Sequence, residues 1–238
     1  MPAPEIADLG LTDEQLRDLA LRFESLGGTG HGCEFGIFQR SLGAEPLTLL
    51  RWADLSQDCL AKALETSFEG VGEPEYTVVF DAGPGNNAEW WTRDTRHHMA
   101  MRSFIKISDT PYEKMVEIAL KRLCFLRKKL ISDLRDGEKI FVYRMIFRNL
   151  RERELTRLHR AVRAYGNNTL FVIQYADKHH PNGTVEWATD GLLIGYVDRF
   201  GHSPEDVNLG SARTLLLNVC RSAVALVDQA LSRTQATA

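Results

Sequence analysis

The middle of the chain alternates between buried-type strands and an amphipathic helix. Residues 140–147 (IFVYRMIF) and 169–175 (TLFVIQY) are apolar runs of strand length, and residues 151–165 between them keep helical spacing and end at Gly166. A strand, a helix and a second strand at these lengths are typical of a parallel βαβ unit. The pattern therefore predicts an α/β or α+β fold that contains at least one such unit.

Further elements are expected on both sides of this unit. Strands are predicted over residues 76–81, 89–93, 101–108, 184–187 and 192–200. Helices are predicted over residues 34–42, 46–52, 56–68, 111–133 and 213–232. We expect a flexible tail over residues 1–10, followed by a single globular domain over residues 11–238 with a central mixed sheet flanked by helices.

The segment before the glycine-rich loop has two interpretations. Thr12 followed by Gln15 is a capping-box pattern, which predicts a helix from Asp13 that stops at Gly27. Alternatively, residues 23–26 form a short strand that leads directly into the loop. The sequence does not separate the two.

Composition narrows the class of protein and its partners. The 238 residues carry a formal net charge of −3 and are 44% hydrophobic, which excludes a disordered chain and a chain that is basic overall. Seven arginines fall within residues 144–163, but no aromatic residues interleave with their helical stripe, so we expect a solvated helix face and no nucleic-acid binding.

The chain carries no recognisable membrane or secretion signal. No apolar run approaches the roughly 20 residues that span a bilayer, and the first ten residues lack the pattern of a signal peptide. A cytoplasmic protein without membrane insertion is therefore expected, with its four cysteines as free thiols. Asp177, His179 and His180 form a weak metal pattern, so we predict neither a metal nor a cofactor.

The most unusual segment is GGTGHG at residues 27–32, directly before Cys33. A thiol after a glycine-rich turn at a helix N-terminus lies near unpaired backbone N–H groups and the positive end of the helix dipole, and both lower its pKa. The same N–H groups, including those near Gly30 and Gly32, can serve as an oxyanion hole or an anion-binding loop. The alternative is a buried cysteine whose glycines are needed only for packing, and spacing alone favours it.

A cysteine nucleophile needs a base, which is usually a histidine. His31 is too close in sequence to face Cys33. His97 and His98 are better candidates, because they lie between two predicted strands after a loop.

Several short segments together resemble a known family. They are Ser25-Leu26-Gly27, Cys33-Glu34-Phe35-Gly36, Gln39-Arg40, Gly43-Ala44-Glu45-Pro46-Leu47, Leu49-Leu50-Arg51-Trp52 and Gly195-Tyr196-x-Asp198-Arg199-Phe200. Together they resemble a bacterial family of unknown function labelled as papain-like cysteine peptidases, whose members often accompany glycosyltransferases. The resemblance extends from about Phe23 to Leu226 and implies that Cys33 is the nucleophile. Arg102 stands where the family pattern has a histidine, so His97 or His98 would have to replace it.

These observations lead to one leading hypothesis and two alternatives. The first is a cysteine-dependent hydrolase or acyl transferase, with Cys33 as nucleophile, His98 or His97 as base, and a small-molecule, peptide or glycan substrate. The second is a non-catalytic binding domain associated with surface-polysaccharide assembly, in which the glycine loop holds an anion and four further residues support the site: Glu34, Arg40, Arg51 and Trp52. The third is a transferase that uses a sugar nucleotide.

Overall fold

All nine described strands belong to one mixed sheet. The computed structural model describes residues 10–29, 33–83, 88–201 and 210–237. The strands are β1 (Phe23–Thr29), β2 (Ala53–Asp54), β3 (Thr77–Asp81), β4 (Glu89–Asp94), β5 (Met99–Lys106), β6 (Ile140–Met145), β7 (Thr169–Tyr175), β8 (Val185–Thr189) and β9 (Leu192–Val197). The helices are α1 (Asp13–Leu21), α2 (Glu34–Ser41), α3 (Gln57–Glu65), α4 (Tyr112–Asp136), α5 (Glu152–Arg163) and α6 (Ser211–Thr237).

The sheet has a parallel centre with antiparallel extensions. The strand order is β3-β4-β5-β2-β1-β6-β7-β9-β8. The strands β2, β1, β6, β7 and β9 pair in parallel, whereas β3, β4, β5 and β8 join through antiparallel pairs. The parallel part therefore has the order 2-1-3-4-5 in chain sequence, which is one of the common doubly wound arrangements. The predicted α/β class with a mixed sheet is confirmed.

Helices cover both faces of the sheet, and the side chains of each central strand alternate between the two cores. In β6, Phe141 and Tyr143 belong to the core beneath α3, α4 and α5, whereas Ile140 and Val142 belong to the core beneath α1, α2 and α6. The predicted βαβ unit is β6-α5-β7, and the Cα partners Ile140 and Thr169 fix its register. Both of its strands are apolar because both of their faces are buried.

Both interpretations of the first described segment hold in part. Thr12 caps α1 with the predicted capping box, and the helix ends at Leu21. β1 begins two residues later, at Phe23, and runs through Gly27 and Gly28. The helix therefore ends before the glycines, and Gly27 and Gly28 belong to the last part of the strand.

The prediction of a helix over residues 46–52 is wrong. This segment is irregular and folds around the buried guanidinium of Arg51. Arg51 Nη2 donates to the backbone carbonyls of Gly36 at 2.9 Å and Ala44 at 3.1 Å. A buried guanidinium needs such acceptors, and this requirement outweighs the helical spacing of the apolar residues.

The last helix is long and apolar enough, by length and composition alone, to cross a membrane. Leu217 and Cys220 are nevertheless fully buried against the sheet, and Asn218 and Arg221 are exposed. This pattern is typical of an amphipathic helix that packs on a sheet. Such a helix is weak evidence for a membrane span, and the cytoplasmic location remains a prediction.

Candidate functional site

The carboxyl ends of β1 and β6 lie side by side at the centre of the sheet. The helix after β1 is α2, which packs on one face, and the helix after β6 is α5, which packs on the other. A crevice opens in a parallel sheet where successive helices change face, and small molecules commonly bind there. Cys33 directly precedes α2, so its thiol lies at this edge of the sheet.

Cys33 is half-buried, and its surroundings do not activate the thiol. Its Sγ lies 4.0 Å from the backbone carbonyl oxygen of Trp52. Burial raises the pKa of the Cys33 thiol above its ordinary value, and the positive charges of Arg102 and Arg144 oppose this only in part. The thiol is therefore protonated at neutral pH.

The side of α2 that carries Cys33 packs on the ring of Trp52. A Cβ atom at Gly36 would lie 3.1 Å from Trp52 Cζ3, so only glycine allows this close approach. The guanidinium carbon of Arg40 lies 4.7 Å from the centre of the Trp52 ring. Residues three, four and seven apart share a helix face, so Gly36 and Arg40 lie against the indole ring on the side of α2 that begins at Cys33.

Strand β5 brings two further side chains to the same place. The backbone N–H of Arg102 donates to the Trp52 carbonyl at 3.4 Å, and the ring of Phe104 meets the Trp52 ring edge-on at 4.8 Å. The Arg102 guanidinium carbon lies 4.8 Å from the Phe104 ring centre. We call Cys33, Arg40, Trp52, Arg102 and Phe104 the Cys33 cluster.

Each arginine of the Cys33 cluster also has a carboxylate partner. Arg102 Nη2 lies 3.1 and 3.0 Å from the two oxygens of Glu89. Arg40 pairs with Glu45, whose side chain is 54% exposed and also pairs with Arg51. The Arg102 Nε–H is shielded from solvent, and within the described residues it has no hydrogen-bond acceptor.

A buried ion pair lies beneath the cluster, between α2 and β6. Arg144 Nε is 2.7 Å from Glu34 Oε2, and each side chain is 1% exposed. Glu34 Oε1 accepts a hydrogen bond from the backbone N–H of Gly201, which follows β9 in the chain. This pair therefore ties the start of α2 to the ends of two strands.

A second polar group lies at the end of β1. The Thr29 hydroxyl is 3.2 Å from the Leu55 carbonyl and 3.3 Å from the Tyr143 hydroxyl. Burial raises the pKa of Tyr143 to about 12, so this phenol stays protonated and available as a donor. Asp54, at the end of β2, is exposed and near enough to raise the pKa of the Cys33 thiol.

The structure brings some of the predicted site residues together and leaves others apart. Cys33, Glu34, Arg40 and Trp52 gather at the start and outer face of α2, and Arg51 supports them from the interior, with its guanidinium carbon 4.6 Å from the Trp52 ring centre. The predicted anion-binding residues Gly30 and Gly32 lie outside the described residues.

Neither predicted base contacts the thiol in the described part of the chain. His97 Nε2 is 2.9 Å from the backbone carbonyl oxygen of Glu69, and the His97 backbone N–H donates to Asp94 at 2.7 Å. His98 is exposed in the same turn between β4 and β5. Their assignment as bases for Cys33 remains a prediction.

Sequence reasoning missed several residues of this site. In the sequence analysis, Arg144 is grouped with the arginines of a solvated helix face, although Arg144 stands in the apolar run IFVYRMIF. A lone arginine in a strand buried on both faces requires a buried partner, and this signal could have identified it. Phe104, Glu89 and Asp54 gave no comparable signal, because their roles depend on how β2 and β5 pair.

Comparison of the chain with protein-family models, curated proteins and solved structures found no match. Within the residues that the structure describes, no group of three or more histidine, cysteine, aspartate or glutamate side chains is arranged to hold a metal ion. The assignment of function therefore depends on the geometry of the Cys33 cluster.

Proposed function

We propose that the chain is a binding domain for a small anionic molecule, and that the ligand contacts the Cys33 cluster. The observation that carries this proposal is the placement of two guanidinium groups, from Arg40 and Arg102, over the Phe104 ring, which meets the Trp52 indole edge-on near a half-buried thiol. Guanidinium groups are the preferred partners of phosphate and carboxylate groups in proteins.

The position of the cluster in the fold supports the proposal. The Cys33 thiol lies at the carboxyl edge of the parallel sheet, where doubly wound proteins bind their ligands. The carboxylate that now pairs with Arg40 belongs to the exposed Glu45, so an incoming anion can exchange with it at little cost.

A cysteine-dependent hydrolase or acyl transferase is the second candidate. The charges of Arg102 and Arg144 both lower the pKa of the Cys33 thiol, as a nucleophile requires. Burial has the larger and opposite effect, and neither His97 nor His98 contacts the sulfur. We therefore rank binding above catalysis for the protein without its ligand.

Protection of the thiol from alkylation tests the binding proposal. Cys33 is alkylated with iodoacetamide in the presence of inorganic phosphate, inorganic diphosphate, uridine diphosphate or a simple carboxylate, and the labelling rate of each cysteine is followed by peptide mass spectrometry. We expect at least one of these anions to slow labelling of Cys33 several-fold without affecting Cys59.

Two variants define the site in this experiment. Arg102→Gln should abolish the protection, because it removes one of the two guanidinium groups. Arg157→Gln is the matched control. Arg157 lies on α5 and pairs with Glu65 of α3, so its replacement should leave protection intact. Equal labelling rates with and without every anion, together with no heat of binding by calorimetry, would overturn the proposal.

A further inference from the structure

Phe104 has a backbone conformation that aromatic residues rarely adopt. Its φ is +59°, in the left-handed region. It lies where the pairing of β4 and β5 changes register, between the partners Trp91–Arg102 and Glu89–Lys106. Such bulges usually place glycine in this conformation, because an L-residue with a Cβ is strained there.

The ring of Phe104 contacts side chains from three separate parts of the cluster. Its centre is 4.8 Å from the Arg102 guanidinium carbon and 5.4 Å from that of Arg40. The same ring meets Trp52 edge-on, and the residue is 37% exposed. The bulge therefore turns one aromatic ring towards both guanidinium groups of the site.

Arginine side chains at a surface lose considerable rotamer freedom when they are held in one place. A guanidinium over an aromatic ring gains a cation–π attraction that offsets part of this loss. Replacing the ring with an aliphatic side chain would remove this attraction and weaken the positioning of both guanidinium groups, which also pair with Glu45 and Glu89.

We propose that Phe104 is a positioning residue that holds the guanidinium groups of Arg40 and Arg102 beside Cys33 and so makes the site selective for anionic ligands. This inference rests on the proposed function, because it names the residue that gives the binding site its charge preference. The bulge with the strained Phe104 backbone is the geometry that directs the ring towards both guanidinium groups.

The preference of the Cys33 thiol for an anionic over a neutral alkylating agent tests this inference, and the test needs no known ligand. Iodoacetate is an anion and iodoacetamide is neutral, and both react in the same way: the thiolate sulfur forms a bond to carbon, iodide leaves with the bonding electrons, and the thiol proton passes to solvent. The ratio of the two rates at Cys33 therefore cancels the thiol pKa and reports the local charge. Cys59 in the same molecule provides the reference ratio.

Three substitutions of Phe104 separate the effect of the aromatic ring from the effect of the strained backbone. Phe104→Leu keeps apolar volume and removes the ring, Phe104→Gly removes the ring and the backbone strain together, and Phe104→Tyr keeps the ring. We expect the wild-type iodoacetate-to-iodoacetamide ratio to be several-fold higher at Cys33 than at Cys59. Both ringless variants should lower the Cys33 ratio towards that of Cys59, and the tyrosine variant should retain it.

The controls distinguish failure of this inference from failure of the proposed function. Phe125→Leu removes an exposed ring on α4 and should not change the ratio. A wild-type preference that survives in both ringless variants would overturn the positioning role and leave anion binding standing. No wild-type preference at Cys33 would overturn the inference and also remove the electrostatic basis of the proposed function. Phe104→Gly keeps the test valid if Phe104→Leu fails to fold, because glycine suits the left-handed backbone.

Discussion

The carboxylate of Glu34 and the guanidinium of Arg144 contact each other inside the protein, 2.7 Å apart and both 1% exposed. Because both charges are removed from water, each one offsets part of the free-energy cost of burying the other. If one is neutralised, the other loses this opposite charge while it stays buried, and this costs far more than the loss of a surface pair.

Glu34→Gln should therefore destabilise the protein by about 3–5 kcal/mol, measured as the free energy of unfolding in urea. Asp228→Asn is the matched control, since it breaks the exposed Arg22–Asp228 pair and should cost no more than about 1 kcal/mol. Similar losses in the two variants would show that the buried pair does not stabilise the start of α2.

A second buried carboxyl, that of Glu24 in β1, should make stability depend on pH. Burial raises the pKa of Glu24 from 4.5 to about 8, although Lys129, Lys139 and Arg51 lower it and Asp133 raises it further. The folded state therefore holds a proton that the unfolded state releases, so this contribution is complete below pH 4.5 and is lost as the pH rises through about 8.

Glu24→Gln should remove that dependence. We expect the wild-type free energy of unfolding to fall between pH 5 and pH 8 by about 1 kcal/mol or more relative to the variant. Urea unfolding of both proteins across this range measures the difference. Parallel curves for the two proteins would show that Glu24 is ionised in the folded state.

The pH dependence of Cys33 alkylation separates the two candidate functions. Because burial raises the pKa of this thiol, the rate of reaction with iodoacetamide should still be increasing at pH 9. Arg102→Gln should move the midpoint higher, because it removes the charge that lowers this pKa most. A rate that reaches its plateau below pH 8 would instead favour Cys33 as a nucleophile.

Gly28 should tolerate no side chain. A Cβ atom there would lie 2.7 Å from the backbone oxygen of Arg144, so β1 and β6 would have to separate. We expect Gly28→Ala to cost about 1–3 kcal/mol by thermal or urea unfolding. Gly43→Ala is the control for conformation alone, because Gly43 has a φ of +77° and no non-neighbouring residue of the described chain comes within 4 Å of the added methyl. A smaller loss at Gly28 than at Gly43 would contradict the steric argument.

The sequence predicts the central part of the fold well, for a physical reason. The apolar runs at Ile140–Met145 and Thr169–Tyr175 are buried on both faces, so their strand pattern is unbroken, and the intervening helix follows from its periodicity. Local signals also locate the start of α1, whose capping box involves residues three apart.

The site could not be predicted to the same extent, because its contacts come from strands distant in the chain. Trp52 meets Phe104 only because β2 pairs antiparallel with β5, and no local pattern encodes that pairing. The helix prediction for residues 46–52 is wrong for a similar reason. The carbonyl acceptors of the buried Arg51 guanidinium lie on segments before it, at Gly36 and Ala44. The glycine-rich segment before Cys33 is a local feature, so the sequence can single out this thiol, and its role stays a prediction.

The position of β1 in the sheet has a consequence for synthesis of the chain. β1 pairs with β6 from Phe23 opposite Ile140 to Thr29 opposite Met145, with a register shift between Ser25 and Gly28. Synthesis on the ribosome proceeds from the N-terminus, so three antiparallel strands and the long helix α4 are made before β6, one of the two neighbours of β1, exists. During that interval Glu34 has no Arg144 and remains hydrated. The centre of this protein is therefore assembled late, and a chain truncated before β6 should be aggregation-prone and unable to close its core.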